Sequence, residues 1–142
     1  MLKNVGEQHA STHENIMKIS KTGKLFTECG EDYFITNANY PWHDFPEVVI
    51  GRVAYDNWLV MSANNMGHTT LDATITLIAL HQTTRKGDYE GRSHPHRDFN
   101  GNLLKKLYKN INYGSGLTSC TRKYTAINNL YNQIEILDRP GC

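Results

Sequence analysis

The stretch Ile50-Gly51-Arg52-Val53-Ala54-Tyr55-Asp56-Asn57-Trp58-Leu59 carries the densest set of residues able to do chemistry. A glycine after an apolar run lets backbone approach a ligand closely. Arg52 beside it offers a planar fork suited to carboxylate or phosphate. Asp56 falls near the start of the helix that follows, where the helix N-terminus favours a charged carboxylate. A carboxylate held in that form suits a general base that takes a proton from a hydroxyl, a role worth about 10²–10⁴ in rate. Spacing alone favours a plainer description, in which Asp56 is a first-turn helix residue and Trp58 a core aromatic.

Three further groups have the residue types for chemistry. Asp72 precedes a strand-like run, and His81-Gln82 follows it, where a histidine is placed to ligate a metal or meet phosphate. A hydrogen-bonded histidine at a strand end is the commoner case. His94-Pro95-His96-Arg97-Asp98 could present His94, His96 and Asp98 on one side of an extended strand, as in a three-ligand metal site of a small hydrolase. Its polar, glycine-rich surroundings and Pro95 favour a solvated loop instead. Gly114-Ser115-Gly116 matches neither phosphate-loop pattern and reads as a turn.

These residues must be held by a single domain. The chain has 142 residues, with 39% hydrophobic and 20% charged, which suits one α/β domain over 1–142 and not two. Fifteen basic against fourteen acidic residues leave a net charge of +1, which argues against a phosphate-backbone binder; no nucleic acid partner is expected. No apolar run approaches the roughly 20 residues that span a bilayer. The polar N-terminus lacks the apolar core of a secretory signal, which makes the cytoplasm the default location. Cys29, Cys120 and Cys142 form no C-x-x-C pair. A Cys29–Cys120 disulfide is compatible with the spacing, but three scattered thiols read more readily as reduced.

Periodicity predicts a helix over 9–20 with Ser11 or Thr12 as its N-cap, then an aromatic, β-branched strand over 32–36. A buried strand is expected over 48–50, a helix over 54–66 closed by Gly67, and two short strands within 69–80 around Ala73. A polar loop over 85–100 leads to an amphipathic helix over 102–111, and 124–136 is open between helix and strand.

The ordered series Asp32-Tyr33-Phe34, Pro46, Ile50-Gly51-Arg52, Asp56-Asn57-Trp58, Asp72-Ala73-Thr74 and His81-Gln82 resembles the C-terminal half of GT-A type glycosyltransferases, most clearly over 30–96. The resemblance implies a partial GT-A fold without the N-terminal Rossmann-like half, and transfer of a sugar from a nucleotide-sugar donor to an acceptor hydroxyl. It implies Asp56 as catalytic base, and Gly51, Arg52 and His81 at the donor and its diphosphate. It places Trp58, Asn57 and Asp72 at the acceptor side, Trp58 either supporting its helix or shaping the pocket. His81 would help hold Mn2+ or Mg2+. The chain lacks the family's Asp-x-Asp motif, the carboxylate pair a hard dication needs. The implied partners are therefore a nucleotide-sugar, a carbohydrate acceptor, and either a missing N-terminal half or a second copy. A non-catalytic carbohydrate-binding domain, stacking sugars on Trp42, Trp58 and tyrosines, is the alternative.

Overall fold

The computed structural model describes residues 2–5, 13–82 and 93–142. In chain order these form β1 (Leu2–Val5), α1 (His13–Ser20), β2 (Lys24–Leu25), α2 (Tyr55–Asn65), β3 (Leu71–Asp72), β4 (Leu80–Gln82), α3 (Phe99–Leu107), β5 (Lys123–Asn128) and β6 (Gln133–Asp138). Short 3-10 turns lie at Trp42–Asp44, Tyr113–Gly116 and Thr118–Cys120. The strands build two three-stranded mixed sheets, ordered β2-β1-β4 and β3-β5-β6. In the second, β3 runs parallel to β5, with Leu71 opposite Lys123, and β5 and β6 form an antiparallel hairpin from Lys123–Asp138 to Asn128–Gln133. The α/β class is as expected from the sequence.

Helix α2 is the centre of the core. Trp58, Leu59 and Met61 pack with Leu104 of α3, and Phe34, Phe45, Val48, Tyr55, Ile111 and Tyr113 close around them. Trp58 is 2% exposed, its ring edge-on to Phe45 at 5.1 Å. The helix ends where Gly67 predicts. Gly67 takes φ +79, its N–H bonds Asn64 O, and His68 N–H reaches back to Ala63 O. That pair of bonds is the Schellman arrangement, which satisfies carbonyls the helix would otherwise strand.

Several expected elements come out differently. Residues 32–36 form no strand: they run as coil, with Phe34 packed edge-on to Tyr55 at 6.4 Å. Val48, Val49 and Ile50 form no strand either. The side chain of Asn100, buried in α3, takes the place of a neighbouring strand: its Oδ1 accepts Val49 N–H at 2.7 Å and its Nδ2 donates to Val49 O at 2.9 Å. Helix α3 starts and ends earlier than predicted, so Asn100 is helical and Tyr108 extended. Of the two strands expected within 69–80 around Ala73, β3 covers Leu71–Asp72, while 73–79 forms no strand and β4 begins only at Leu80, in the other sheet; 124–136 resolves into the β5–β6 hairpin. Gly114-Ser115-Gly116 is a turn, as read. Residues 9–12, with the predicted N-cap, and 83–92 of the predicted polar loop lie outside the described residues.

The cysteines also depart from expectation. Cys120 and Cys142 are joined as a disulfide with Cα atoms 5.4 Å apart, and Cys29 is the free, exposed thiol. The open Cys29–Cys120 pairing and the reading of three reduced thiols are both corrected. The final residues fold back after β6 and bring Cys142 to Cys120, a closure that local sequence does not announce.

Candidate functional site

Asp56 lies in the first turn of α2, partly buried, as the sequence places it. What the spacing does not show is its neighbour. The segment before Asp32 is tied down by Thr118 N–H donating to Glu28 O at 3.0 Å and Ser119 Oγ donating to Glu28 Oε2 at 2.7 Å. This brings Glu31 against the start of α2, where its backbone holds the pKa of the Asp56 carboxyl down against the other influences on it. Both carboxyl oxygens of Glu31 are shielded from solvent, and neither finds a hydrogen-bond partner among the described residues.

The electrostatics follow from that placement. Burial, and then the charge of Asp32, push the Asp56 carboxyl up to about 6, against the restraining influence of the Glu31 backbone. Burial pushes Glu31 further, to about 8, with the charges of Asp56, Asp72 and Asp32 adding to it. Near neutral pH, Asp56 is mostly ionised and Glu31 mostly a neutral acid. Two carboxyl groups whose surroundings separate their titrations in this way can divide proton-accepting and proton-holding roles.

The other sequence-predicted residues take up structural work around this pair. Asn57 donates from Nδ2 to Gly116 O at 3.2 Å. The 3-10 turn carrying Gly116 packs so closely on α2 that a Cβ at Gly116 would sit 1.8 Å from Asn57 O, which only glycine permits. Trp58 is buried in the core, packed with Leu59, Met61 and Leu104. Asp72 is fully engaged: Oδ1 accepts from Thr74 N–H and Oγ1, and Oδ2 pairs with Arg139 Nη2 at 2.8 Å. Arg139 in turn stacks over Tyr124, its guanidinium carbon 4.9 Å from the ring centre. Asp72 therefore ties β3 to the chain beyond β6. Gly51, at φ +76, turns the chain into Arg52. The backbone of His81 is part of β4, and its side chain lies outside the described residues.

His94, His96 and Asp98 do not converge. Nδ1 of His94 accepts His96 N–H at 3.0 Å, and Asp98 pairs with Arg97 at 3.0 Å. Among the described residues, no group of three or more His, Cys, Asp or Glu is arranged to hold a metal ion. The Mn2+ or Mg2+ implied by the sequence resemblance rests on His81, whose side chain lies outside the described residues. A cavity of about 410 Å³ opens beside His96, Phe99, Leu103 and Lys106, on α3 and the turn before it.

Compared with known proteins, the chain matches no family model, no curated protein and no solved structure. Sequence reasoning missed Glu31 and Asn100. Glu31 adjoins the Asp32-Tyr33-Phe34 motif, but nothing local pairs it with Asp56. Asn100 had no local signal, because the sequence assigns it to the polar loop over 85–100.

Proposed function

We propose that the chain acts on a sugar acceptor, as the acceptor-side portion of a GT-A type glycosyltransferase with Asp56 as general base. One observation carries the reading: a first-turn carboxylate, partly buried beside Glu31, which burial pushes up to about 6. A base tuned toward the working pH accepts a proton more readily than an ordinary carboxylate and remains ionised at neutrality. In the proposed reaction the acceptor oxygen bonds to the anomeric carbon of the donor sugar. The bond from that carbon to the diphosphate breaks, and the hydroxyl proton passes to Asp56. Glu31, holding its own proton, keeps a second negative charge away from the carboxylate. The Cys120–Cys142 disulfide favours an oxidising compartment over the cytoplasm expected from sequence.

The test is Asp56→Asn in the full-length protein, assayed for transfer from a nucleotide-sugar with folding checked by circular dichroism. Loss of at least about 10²-fold in rate with the fold intact is expected. In the wild type, the rate falls as pH drops below about 6, as Asp56 takes up a proton. Unchanged turnover in the variant sinks the assignment.

Trp42 favours a second reading, a carbohydrate-binding domain without catalysis. The residue is 44% exposed, its ring held by Tyr40 and Phe45 and fixed by Nε1 donating to Thr36 Oγ1 at 3.1 Å. Such a rigid aromatic face suits stacking on a sugar. Oligosaccharide binding that is abolished by Trp42→Ala and indifferent to Asp56→Asn, with no nucleotide affinity, would establish it.

A further inference from the structure

Arg52 and His94 meet in an arrangement that neither the core nor the proposed base explains. Nη2 of Arg52 lies 3.1 Å from Nε2 of His94. On the other side of the ring, Nδ1 accepts His96 N–H at 3.0 Å. That bond requires a lone pair on Nδ1, so a neutral imidazole carries its proton on Nε2. A guanidinium has donors only. Two donors therefore face each other across 3.1 Å. The other tautomer merely moves the conflict to His96 N–H.

The framework holding the pair is rigid. Asn100, 0% exposed, bonds both polar groups of Val49 and donates to Arg52 O at 3.4 Å. Val53 N–H donates to Arg97 O at 3.2 Å, and Arg97 N–H to His94 O at 3.0 Å. Four hydrogen bonds thus lace the loop bearing Arg52 to α3 and the turn before it, and the facing donors cannot simply swing apart at the backbone. An oxyanion accepting from both removes the conflict, and charge-assisted bonds from a guanidinium make that acceptance strong. Next along the turn, the ring of His96 stands 5.7 Å from that of His94. His96 and Lys106 line the cavity of about 410 Å³ together with the apolar Phe99 and Leu103. Asp98, which also borders it, is neutralised by Arg97.

We propose that Arg52 and His94 form an oxyanion site for a phosphoryl group, with the adjoining cavity taking the organic part of a phosphate ester. In naming a phosphoryl ligand the site deepens the transferase reading and rests on it to that extent, since the donor there carries a diphosphate. Its residues are distinct from Asp56, and its test reads binding and not transfer, so the two can fail separately.

The full chain is titrated with inorganic phosphate and, in parallel, with phenyl phosphate, against sodium chloride at matched ionic strength. The arginine Nε–H and histidine ring signals are followed by NMR. Saturable shifts at Arg52 and His94 are expected, with affinity weakened at least about tenfold in Arg52→Gln and in His94→Ala. The amide spectrum of each variant reports folding; should Arg52→Gln unfold, His94→Ala and the wild-type shifts decide. Tighter binding of phenyl phosphate supports an ester seated in the Phe99–Leu103 cavity, and equal affinities support a site for free phosphate. No saturable shift at about 50 mM ligand, shifts reproduced by chloride, or unchanged affinity in the folded variants overturns the proposal.

Discussion

At the scale of single residues, Glu31 and Asp56 couple the candidate site to folding. Glu31 rises from an ordinary 4.5 to about 8, and Asp56 from 3.8 to about 6. Between those limits the folded chain holds protons that the unfolded chain has released. Stability therefore falls as pH rises through the window, since the unfolded state binds fewer protons there. Above pH 6 the slope belongs to Glu31. Its loss of stability by pH 8 is on the order of a few kcal/mol. Glu31→Gln keeps the shape and removes the titration. Urea unfolding at pH 6 to 8 is expected to show a flattened slope and a more stable protein at the alkaline end; a slope unchanged from wild type refutes the buried-acid description.

At the scale of elements, α2 is where fold and candidate site coincide, and its two ends are built differently. The C-terminal end is satisfied by the Gly67 motif. The N-terminal end has no side-chain cap, and its N-cap residue is Ala54 at φ +75. Left-handed backbone costs a residue with a Cβ roughly 1–2 kcal/mol. This strain sits two residues from Asp56, where Arg52 O accepts Tyr55 N–H and Ala54 O accepts Trp58 N–H, so the turn is fixed by the helix it starts. Ala54→Gly is expected to raise stability by about 1 kcal/mol in urea denaturation. A lower midpoint would mean that the contact of the Ala54 methyl with the core outweighs the strain.

For the whole molecule, the small core and the large surface belong together. The 16.2 kDa chain exposes 10371 Å², against about 7,500 Å² for a compact monomer of that mass. Part of the excess is apolar: Ile127, Leu130, Tyr131, Ile134 and Ile136 of the β5–β6 hairpin all stand largely in solvent. With few side chains buried among the described residues, the fold depends more than usual on cross-links. The disulfide spans 22 residues and closes a loop containing the whole hairpin, and the Asp72–Arg139 pair acts on the same segment. The loop-entropy argument gives about 3 kcal/mol for a closure of this length. Replacing Cys120 and Cys142 by serine is expected to lower the unfolding free energy by about that amount. Denaturation of reduced and oxidised wild type checks the value, and equal midpoints would show that the bond contributes nothing.

Local sequence determined the elements whose signals are local. Helix α2 follows from its apolar stripe and its glycine stop, α1 from its spacing, the turn at Gly114 to Gly116 from its composition, and the position of Asp56 from its place after Gly51 and Arg52. Hydrogen-bond partners distant in the chain decided the rest. Val48 to Ile50 has the residues of a strand, but Asn100 takes the bonds that a neighbouring strand would need. Asp72 looks free for chemistry until Arg139 arrives from beyond β6. Glu31 becomes a raised carboxylic acid only because Glu28, anchored on the turn after Gly116, lays it against α2. Backbone torsions and apolar periodicity act over a few residues and can be read in order. Burial, pairing and desolvation act through space, and in this chain they turn candidate residues into either a site or its scaffold.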